Sequence, residues 1–142
     1  MPGARAMLSR GVTPNPSQPH RSSAFGIAQR ELDSRTSVIS VEGELDLSTA
    51  PRLKWMLVDS LAAGQNQLVL DLSLTRFMDS TALGVLVGVR RKLHGEDRFA
   101  IVCAEPDVLK IFEYAGMDGA FAIFPTLDEA LAYARGQATR VS

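Results

Sequence analysis

The spacing of apolar residues changes from one segment of the chain to the next, and this spacing predicts the elements of structure. Phe25 and Ile27 alternate with small or polar residues, and Ile39 and Val41 alternate in the same way. Such alternation is typical of strands that have one face on the core and the other in water. Turn-forming residues at 33–35 separate the two runs. The pattern therefore predicts an antiparallel hairpin.

Beyond the hairpin, helical patterns and strand patterns follow each other in turn. Continuous or nearly continuous apolar runs, which are typical of strands buried on both faces, occupy residues 68–72, 99–103 and 121–124. Helical spacing and capping signals predict four helices. The first begins at Ser48 or Thr49 and stops at Gly64, and the second runs from 79–80 to His94, with Gly95 as its stop. The third begins at Pro106 and stops at Gly116, and the last begins at the capping box 126–129. This order predicts an α/β fold, and the initial hairpin makes its sheet mixed.

Length and composition narrow the class of protein. A chain of 142 residues with 46% hydrophobic and 22% charged residues is suited to one globular domain. It has no apolar run of the roughly 18–20 residues that span a bilayer and no secretory hydrophobic stretch, so we expect a cytoplasmic protein without membrane insertion. One cysteine and two histidines exclude an internal disulfide and a Cys/His zinc site. We expect no metal and no cofactor.

The beginning of the chain differs from the rest. Residues 1–23 are rich in Pro, Ser, Gly and Arg and show no periodicity, which predicts a disordered N-terminal tail. A start site assigned upstream of the true one is the alternative interpretation. We expect the folded domain at residues 24–136 and a short C-terminal tail at 137–142.

Charge is divided unevenly along the chain. Residues 1–30 contain four arginines and no acid, which leaves 11 bases against 16 acids over residues 31–142. The predicted domain is therefore acidic and lacks the basic surface that phosphate backbones require. We expect no direct binding of nucleic acid.

The segment 77–88 carries the candidate chemistry. It follows a buried strand and opens a helix, so the hydroxyls of Ser80 and Thr81 lie among free backbone N–H groups at the positive end of the helix dipole. A phosphate there would add about 1.5 to 2 negative charges without opposing the helix. The simpler interpretation is that Asp79 or Ser80 is only an N-cap. The helix is apolar around most of its circumference, and either neighbouring helices or a docked partner must cover the excess.

Three separated blocks resemble a known family: residues 41–50 (VEGELDLSTA), 68–73 (LVLDLS) and 77–84 (FMDSTALG). They look like the STAS domain of bacterial anti-sigma factor antagonists, and residues 112–117 are similar to a helix end in that family. The resemblance covers about residues 24–136. It implies a small mixed β-sheet of four to five strands, flanked by about four α-helices.

The resemblance also implies a partner-switching role. In the family, the unmodified antagonist binds an anti-sigma factor that is also a serine kinase, and phosphorylation by that kinase ends the interaction. Carried onto this sequence, the acceptor is Ser80, with Thr81 as its rival. The family commonly has Gly where this chain has Ala82. We expect the partner-binding residues to be Asp46, Met78, Asp79, Ala82 and Leu83.

Two other functions are alternatives to partner switching. An accessory STAS subunit of a lipid-transport or signalling complex would bind its partner constitutively, without phosphorylation. A hydrolase using Ser80 would need a base, and no histidine lies near Ser80 in the sequence, so we predict no catalytic residues and no enzyme. The oligomeric state is left open, with a homodimer among the alternatives.

Four further features have a plain structural interpretation beside a functional one. We predict that Cys103 is a buried small hydrophobe rather than a redox sensor, and that Trp55 lies at the edge of the core rather than in an interface. The pair Gly84 and Gly88 predicts close helix packing rather than membrane dimerisation. The run 90–92, Arg-Arg-Lys, reads as a solvated helix end rather than a basic docking patch.

Overall fold

The computed structural model describes residues 25–137. The predicted N-terminal tail (1–23), and all but the first residue of the predicted C-terminal tail (137–142), lie outside the described residues. The described part contains five strands and four helices. In chain order these are β1 (Gly26–Glu31), β2 (Thr36–Leu45), α1 (Ala50–Ala62), β3 (Gln67–Met78), α2 (Ser80–Arg91), β4 (Arg98–Val102), α3 (Pro106–Tyr114), β5 (Ala122–Phe124) and α4 (Leu127–Ala134).

The strands form one mixed sheet. Their order is β1-β2-β3-β4-β5; β1 and β2 pair antiparallel, and every later pair is parallel. Parallel neighbours need a crossover, and a helix lies between each parallel pair in the sequence. The predicted α/β class, the mixed sheet and the set of four helices are confirmed.

The helices divide between the two faces of the sheet. Side chains of α1, α2 and α3 share one buried cluster with β2 and β3, represented by Leu53, Leu86, Phe112 and Leu70. Helix α4 packs on the other face through Ala130 and Ala134, against valines and an alanine of β2, β3 and β4. The central strands are thus buried on both faces along much of their length, which is why their sequences are nearly continuous apolar runs.

Strand β3 is longer than its apolar run predicted. It extends from Gln67 to Met78, whereas the sequence predicted residues 68–72. The pairing with β2 passes two register shifts, between Ser40 and Glu42 and between Gly43 and Glu44, and these irregularities break the simple alternation. The second helix also stops earlier than predicted, at Arg91 instead of His94. The extension of β3 determines where the candidate site lies.

Candidate functional site

The site is built where β2 and β3 end side by side. Leu45 and Met78, the last residues of the two parallel strands, are paired across the sheet. The backbone N–H of Asp79 donates to the carbonyl of Leu45 at 3.0 Å. The loop that begins at Asp46 and the helix that begins after Asp79 are therefore neighbours, although 33 residues separate them in the chain.

A carboxylate caps the first turn of α2. Asp79 has extended backbone geometry, and its Oδ1 accepts a hydrogen bond from the N–H of Ala82 at 3.1 Å. Its carbonyl accepts from the N–H of Leu83 at 3.2 Å. The sequence predicts Asp79 or Ser80 as the N-cap of this helix, and the geometry shows that Asp79 has this role.

The two hydroxyl residues after the cap are exposed and unengaged. Ser80 and Thr81 occupy the first two helical positions, and neither hydroxyl makes a hydrogen bond to any residue in the described range. The N–H groups of these positions have no intrahelical acceptor, and the first turn contains no acidic residue. The helix end is therefore open to an enzyme and electrostatically favourable to an anion.

Three of the residues expected to bind the partner face inward. Met78, Ala82 and Leu83 are 1%, 0% and 6% exposed and belong to the buried cluster beneath α1, α2 and α3. Met78 is on the inner face of β3, and the two helical residues lie on the same side of α2 as Leu86. Their side chains hold the start of α2 against the sheet. Of the predicted set, Asp46 and Asp79 remain partly exposed.

Asp46 organises the loop between β2 and α1. Its Oδ1 accepts hydrogen bonds from the N–H and hydroxyl of Ser48, at 2.9 and 2.7 Å, and from the N–H of Thr49 at 3.2 Å. These bonds, the one from the Ser48 hydroxyl foremost, lower the pKa of the Asp46 carboxyl below its ordinary value. The Thr49 hydroxyl accepts from the Asp46 N–H at 2.9 Å. The carboxylate thus fixes the shape of the loop beside Asp79.

Two exposed apolar residues beside the site were missed from the sequence. Leu47 follows Asp46 and is 73% exposed, and Phe77 precedes Met78 and is 47% exposed. Neither had a distinguishing signal, because an apolar residue next to a strand end looks like part of the core. Phe77 points away from the inner face because successive residues of a strand face opposite sides and its neighbour Met78 faces inward. Both are exposed apolar residues close in sequence to the site: Leu47 follows Asp46, and Phe77 lies three residues before Ser80.

The excess apolar surface of α2 is covered only in part. Leu86 and Val89 are buried and Val85 is half-buried, but an open groove of about 640 Å³ remains between α1 and α2. We refer to it as the α1–α2 groove. It is lined by Lys54 and Val58 of α1, by Thr81, Gly84, Val85, Gly88, Val89 and Arg91 of α2, and by Lys92.

The remaining expectations have mixed outcomes. Cys103 is 3% exposed, which confirms it as a buried hydrophobe, and burial raises the pKa of its thiol. Trp55 was expected at the edge of the core, but it is 62% exposed, because it faces away from the stripe of α1 that carries Leu53 and Leu57. The described residues contain no group of three His, Cys, Asp or Glu side chains that would hold a metal ion. Among residues 25–137, no helix is long and apolar enough to cross a bilayer.

Comparison with known proteins identifies the family. The sequence model of the STAS domain matches residues 28–130, and the chain belongs to the STAS domain family. It is 32% identical over 100 residues to the anti-sigma-F factor antagonist RsfB of Mycobacterium tuberculosis, an alignment that covers 70% of this chain and 82% of RsfB. Neither this name nor those of the solved structures below describes an enzyme.

Solved structures support the same assignment. An anti-sigma factor antagonist from Mycobacterium paratuberculosis superimposes with a TM-score of 0.73 and 34% identity, covering 79% of this chain and 95% of that one. The anti-sigma factor antagonist SpoIIAA in its unphosphorylated form gives a TM-score of 0.66 at 24% identity, over 82% of this chain and all of SpoIIAA. The second likeness shows the shared fold, a five-stranded mixed sheet with four helices.

Proposed function

We propose that this chain is an anti-sigma factor antagonist that binds an anti-sigma factor with serine kinase activity. Phosphorylation of Ser80, with Thr81 as the rival acceptor, ends the binding and so regulates transcription that depends on a sigma factor. The docking surface comprises the start of α2 and the loop at Asp46, together with the exposed Leu47 and Phe77. The names of RsfB and of the mycobacterial structure, both antagonists of anti-sigma factors, support the partner class.

One observation carries the proposal: two free hydroxyls lie at an exposed helix start that is already capped by another residue. Because the Asp79 carboxylate caps Ala82 N–H, neither Ser80 nor Thr81 is needed to complete the helix. A kinase that transfers a phosphoryl group to either oxygen, and takes up its proton, removes no bond of the fold. The dianion would then gain from the N-terminal dipole of α2, by about 0.3–1 kcal/mol for an exposed group.

The buried residues below the hydroxyls explain how the surface can change while the scaffold does not. Met78, Ala82 and Leu83 hold the helix start in the core. Phosphate added above them supplies about 1.5 to 2 negative charges to a surface whose apolar contacts come from Leu47 and Phe77. Desolvating that charge against an apolar interface opposes docking, so the partner dissociates.

Phosphate transfer tests this proposal directly. The purified chain is mixed with each anti-sigma factor kinase of the host and with ATP, and its intact mass is followed. We expect one phosphate on the wild type, none on the doubly substituted Ser80→Ala/Thr81→Ala chain, and normal uptake by Ser34→Ala, a control in an exposed turn. The single variants show which hydroxyl accepts.

Two outcomes would count against the switch. Absence of phosphate on the wild type with every kinase would contradict it. Stable binding that Ser80→Asp and Thr81→Asp leave unchanged would instead support a constitutive accessory subunit.

A further inference from the structure

The floor of the α1–α2 groove contains two glycines in the interior of a helix. Gly84 and Gly88 are one turn apart in α2, well inside Ser80–Arg91. A glycine in a helix interior lowers helix stability relative to alanine, because its backbone loses more freedom on folding. Such a residue is expected where something must approach the backbone closely.

Internal packing does not account for these glycines. A Cβ atom placed on Gly84 or on Gly88 would meet no heavy atom within 4 Å, so neither glycine is needed to admit a neighbouring element within residues 25–137. The close packing that the spacing predicted is therefore absent within the described residues. The open space lies in the groove, where a visiting chain would find the helix backbone uncovered.

The rim of the groove is cationic on a domain that is otherwise acidic. Lys54, Arg91 and Lys92 are exposed, and none of them forms a salt bridge with a residue in the described range. Arg90 has a different environment, since its guanidinium lies 6.0 Å from the centre of the Phe121 ring. The three rim cations thus surround an apolar floor without a carboxylate of their own.

We propose that the α1–α2 groove receives an acidic amphipathic helix of the anti-sigma factor. This inference rests on the proposed function and specifies the partner surface it uses. The apolar side of the visiting helix would lie over Gly84 and Gly88, and its carboxylates would face Lys54, Arg91 and Lys92. The stretch from Thr81 to Lys92 is about 16 Å long, enough for about three turns. Residues 1–30 of this chain contain no acid and are the wrong charge for the groove.

The two hydroxyl residues differ in their position relative to the groove. Thr81 is part of its lining, whereas Ser80 is not. A phosphate on Thr81 would place about 1.5 to 2 negative charges at the end of the groove, where they would oppose an acidic helix directly. A phosphate on Ser80 would lie outside the lining of the groove. We therefore expect the groove to be more sensitive to modification of Thr81.

The test measures the affinity of the anti-sigma factor kinase that phosphorylates this chain. Calorimetric titration compares the wild type with Gly88→Leu, which fills the floor, and Lys54→Glu, which reverses one rim charge. We expect each variant to bind about tenfold more weakly or worse. Lys110→Glu makes the same charge change at an exposed position of α3 and is expected to alter affinity less than about twofold.

A smaller substitution keeps folding separate from binding. Gly88→Ala adds one methyl group to open space, and we expect it to raise the midpoint of thermal unfolding by about 2–5 °C while it weakens the complex. A more stable protein that binds less well is the signature of a surface glycine kept for a partner. Equal binding by Gly88→Ala, Gly88→Leu and the wild type would overturn the proposal.

Other results would also overturn it. Normal binding by Lys54→Glu, or an equal loss with Lys110→Glu, would mean that the groove cations have no specific role. A dimer of the wild type that Gly88→Leu converts to monomer in sedimentation would assign the groove to a second copy. If the wild type binds no anti-sigma factor kinase, the proposed function fails and the groove proposal fails with it. If the wild type binds and the groove variants bind equally well, only the groove proposal fails.

Discussion

Two helices of this domain, α4 and α2, begin with a hydroxyl residue close to an acidic residue. The hydroxyl caps one helix and the carboxylate caps the other. At α4 the Thr126 hydroxyl is the cap: it accepts from the N–H of Glu129 at 3.3 Å and donates to the Glu129 carboxylate at 2.8 Å. At α2 the Asp79 carboxylate is the cap, and the hydroxyls of Ser80 and Thr81 are left without a partner among the described residues.

The difference shows which hydroxyls are available for modification. Phosphate on Thr126 would break a capping box and meet Asp128 and Glu129, both in the first turn of α4. The first turn of α2 has no acid after the Asp79 cap, so phosphate there breaks no hydrogen bond among the described residues and lies beside free N–H groups as well as the Asp79 carboxylate. Because a carboxylate caps α2, the hydroxyls at its start are not needed for the fold and are available for modification.

Removing the cap of α2 should have the largest effect on stability. Asp79→Ala leaves the N–H of Ala82 without its acceptor at a partly buried helix start. We expect the free energy of unfolding to fall by about 1 kcal/mol, and by up to about 2, in urea denaturation. Asp79→Asn retains an oxygen acceptor and is the matched control, expected to lose much less. Equal stability of Asp79→Ala and the wild type would remove the structural basis of the comparison.

The cap of α4 should respond similarly but less strongly. Thr126→Ala removes the hydroxyl that serves the Glu129 N–H, at a more exposed position. We expect a loss of about 0.5–1 kcal/mol in the same denaturation experiment. Thr126→Ser keeps the oxygen and is expected to restore most of that loss. If Thr126→Ala is neutral, the hydroxyl of α4 is as dispensable as those of α2.

The free hydroxyls should contribute little to stability. Ser80→Ala and Thr81→Ala remove groups that make no hydrogen bond to described residues, so we expect changes in the free energy of unfolding within about 0.5 kcal/mol. The same substitutions are expected to control phosphate uptake. A loss above about 1 kcal/mol for either variant would show that its hydroxyl has a structural role after all.

The loop that Asp46 organises should make the free energy of unfolding slightly dependent on pH in the acid range. The folded pKa of Asp46 is lowered, first by the Ser48 hydroxyl, so its contribution to stability is present above the unfolded pKa and is lost as the pH falls through the folded one. We expect stability to fall less for Asp46→Asn than for the wild type between about pH 6 and about pH 3. Parallel pH profiles for the two proteins would contradict this role for the Asp46 carboxylate.

The sequence predicted the order of the elements because strand runs and helix signals are local. It predicted a cap at Asp79 or Ser80, and two hydroxyls at the start of that helix, for the same reason. It did not predict the length of β3, since the pairing with β2 that extends the strand to Met78 passes two register shifts at which β3 carries an extra residue. Local pattern also cannot distinguish an inward Leu83 from an outward Phe77. The exposure of Leu83 depends on which side of α2 packs on the sheet, and that of Phe77 on which face of β3 it occupies.

The exposure of Trp55 is also not predicted by local pattern. Its position just off the apolar stripe of α1 predicts the edge of the core, yet the buried side of α1 carries Leu53 and Leu57 and leaves Trp55 on the opposite side. The groove between α1 and α2 was also beyond local reasoning, as it exists only where Lys54 and Gly88 come together in the fold.

The most direct test of the central claim compares one protein before and after modification. The singly phosphorylated chain is purified, and its affinity for the anti-sigma factor and its thermal unfolding are measured beside those of the unmodified chain. We expect binding to fall by about a hundredfold or more while the unfolding midpoint shifts by no more than about 4 °C. Unchanged binding, or lost binding together with a collapse of the folded state, would contradict it.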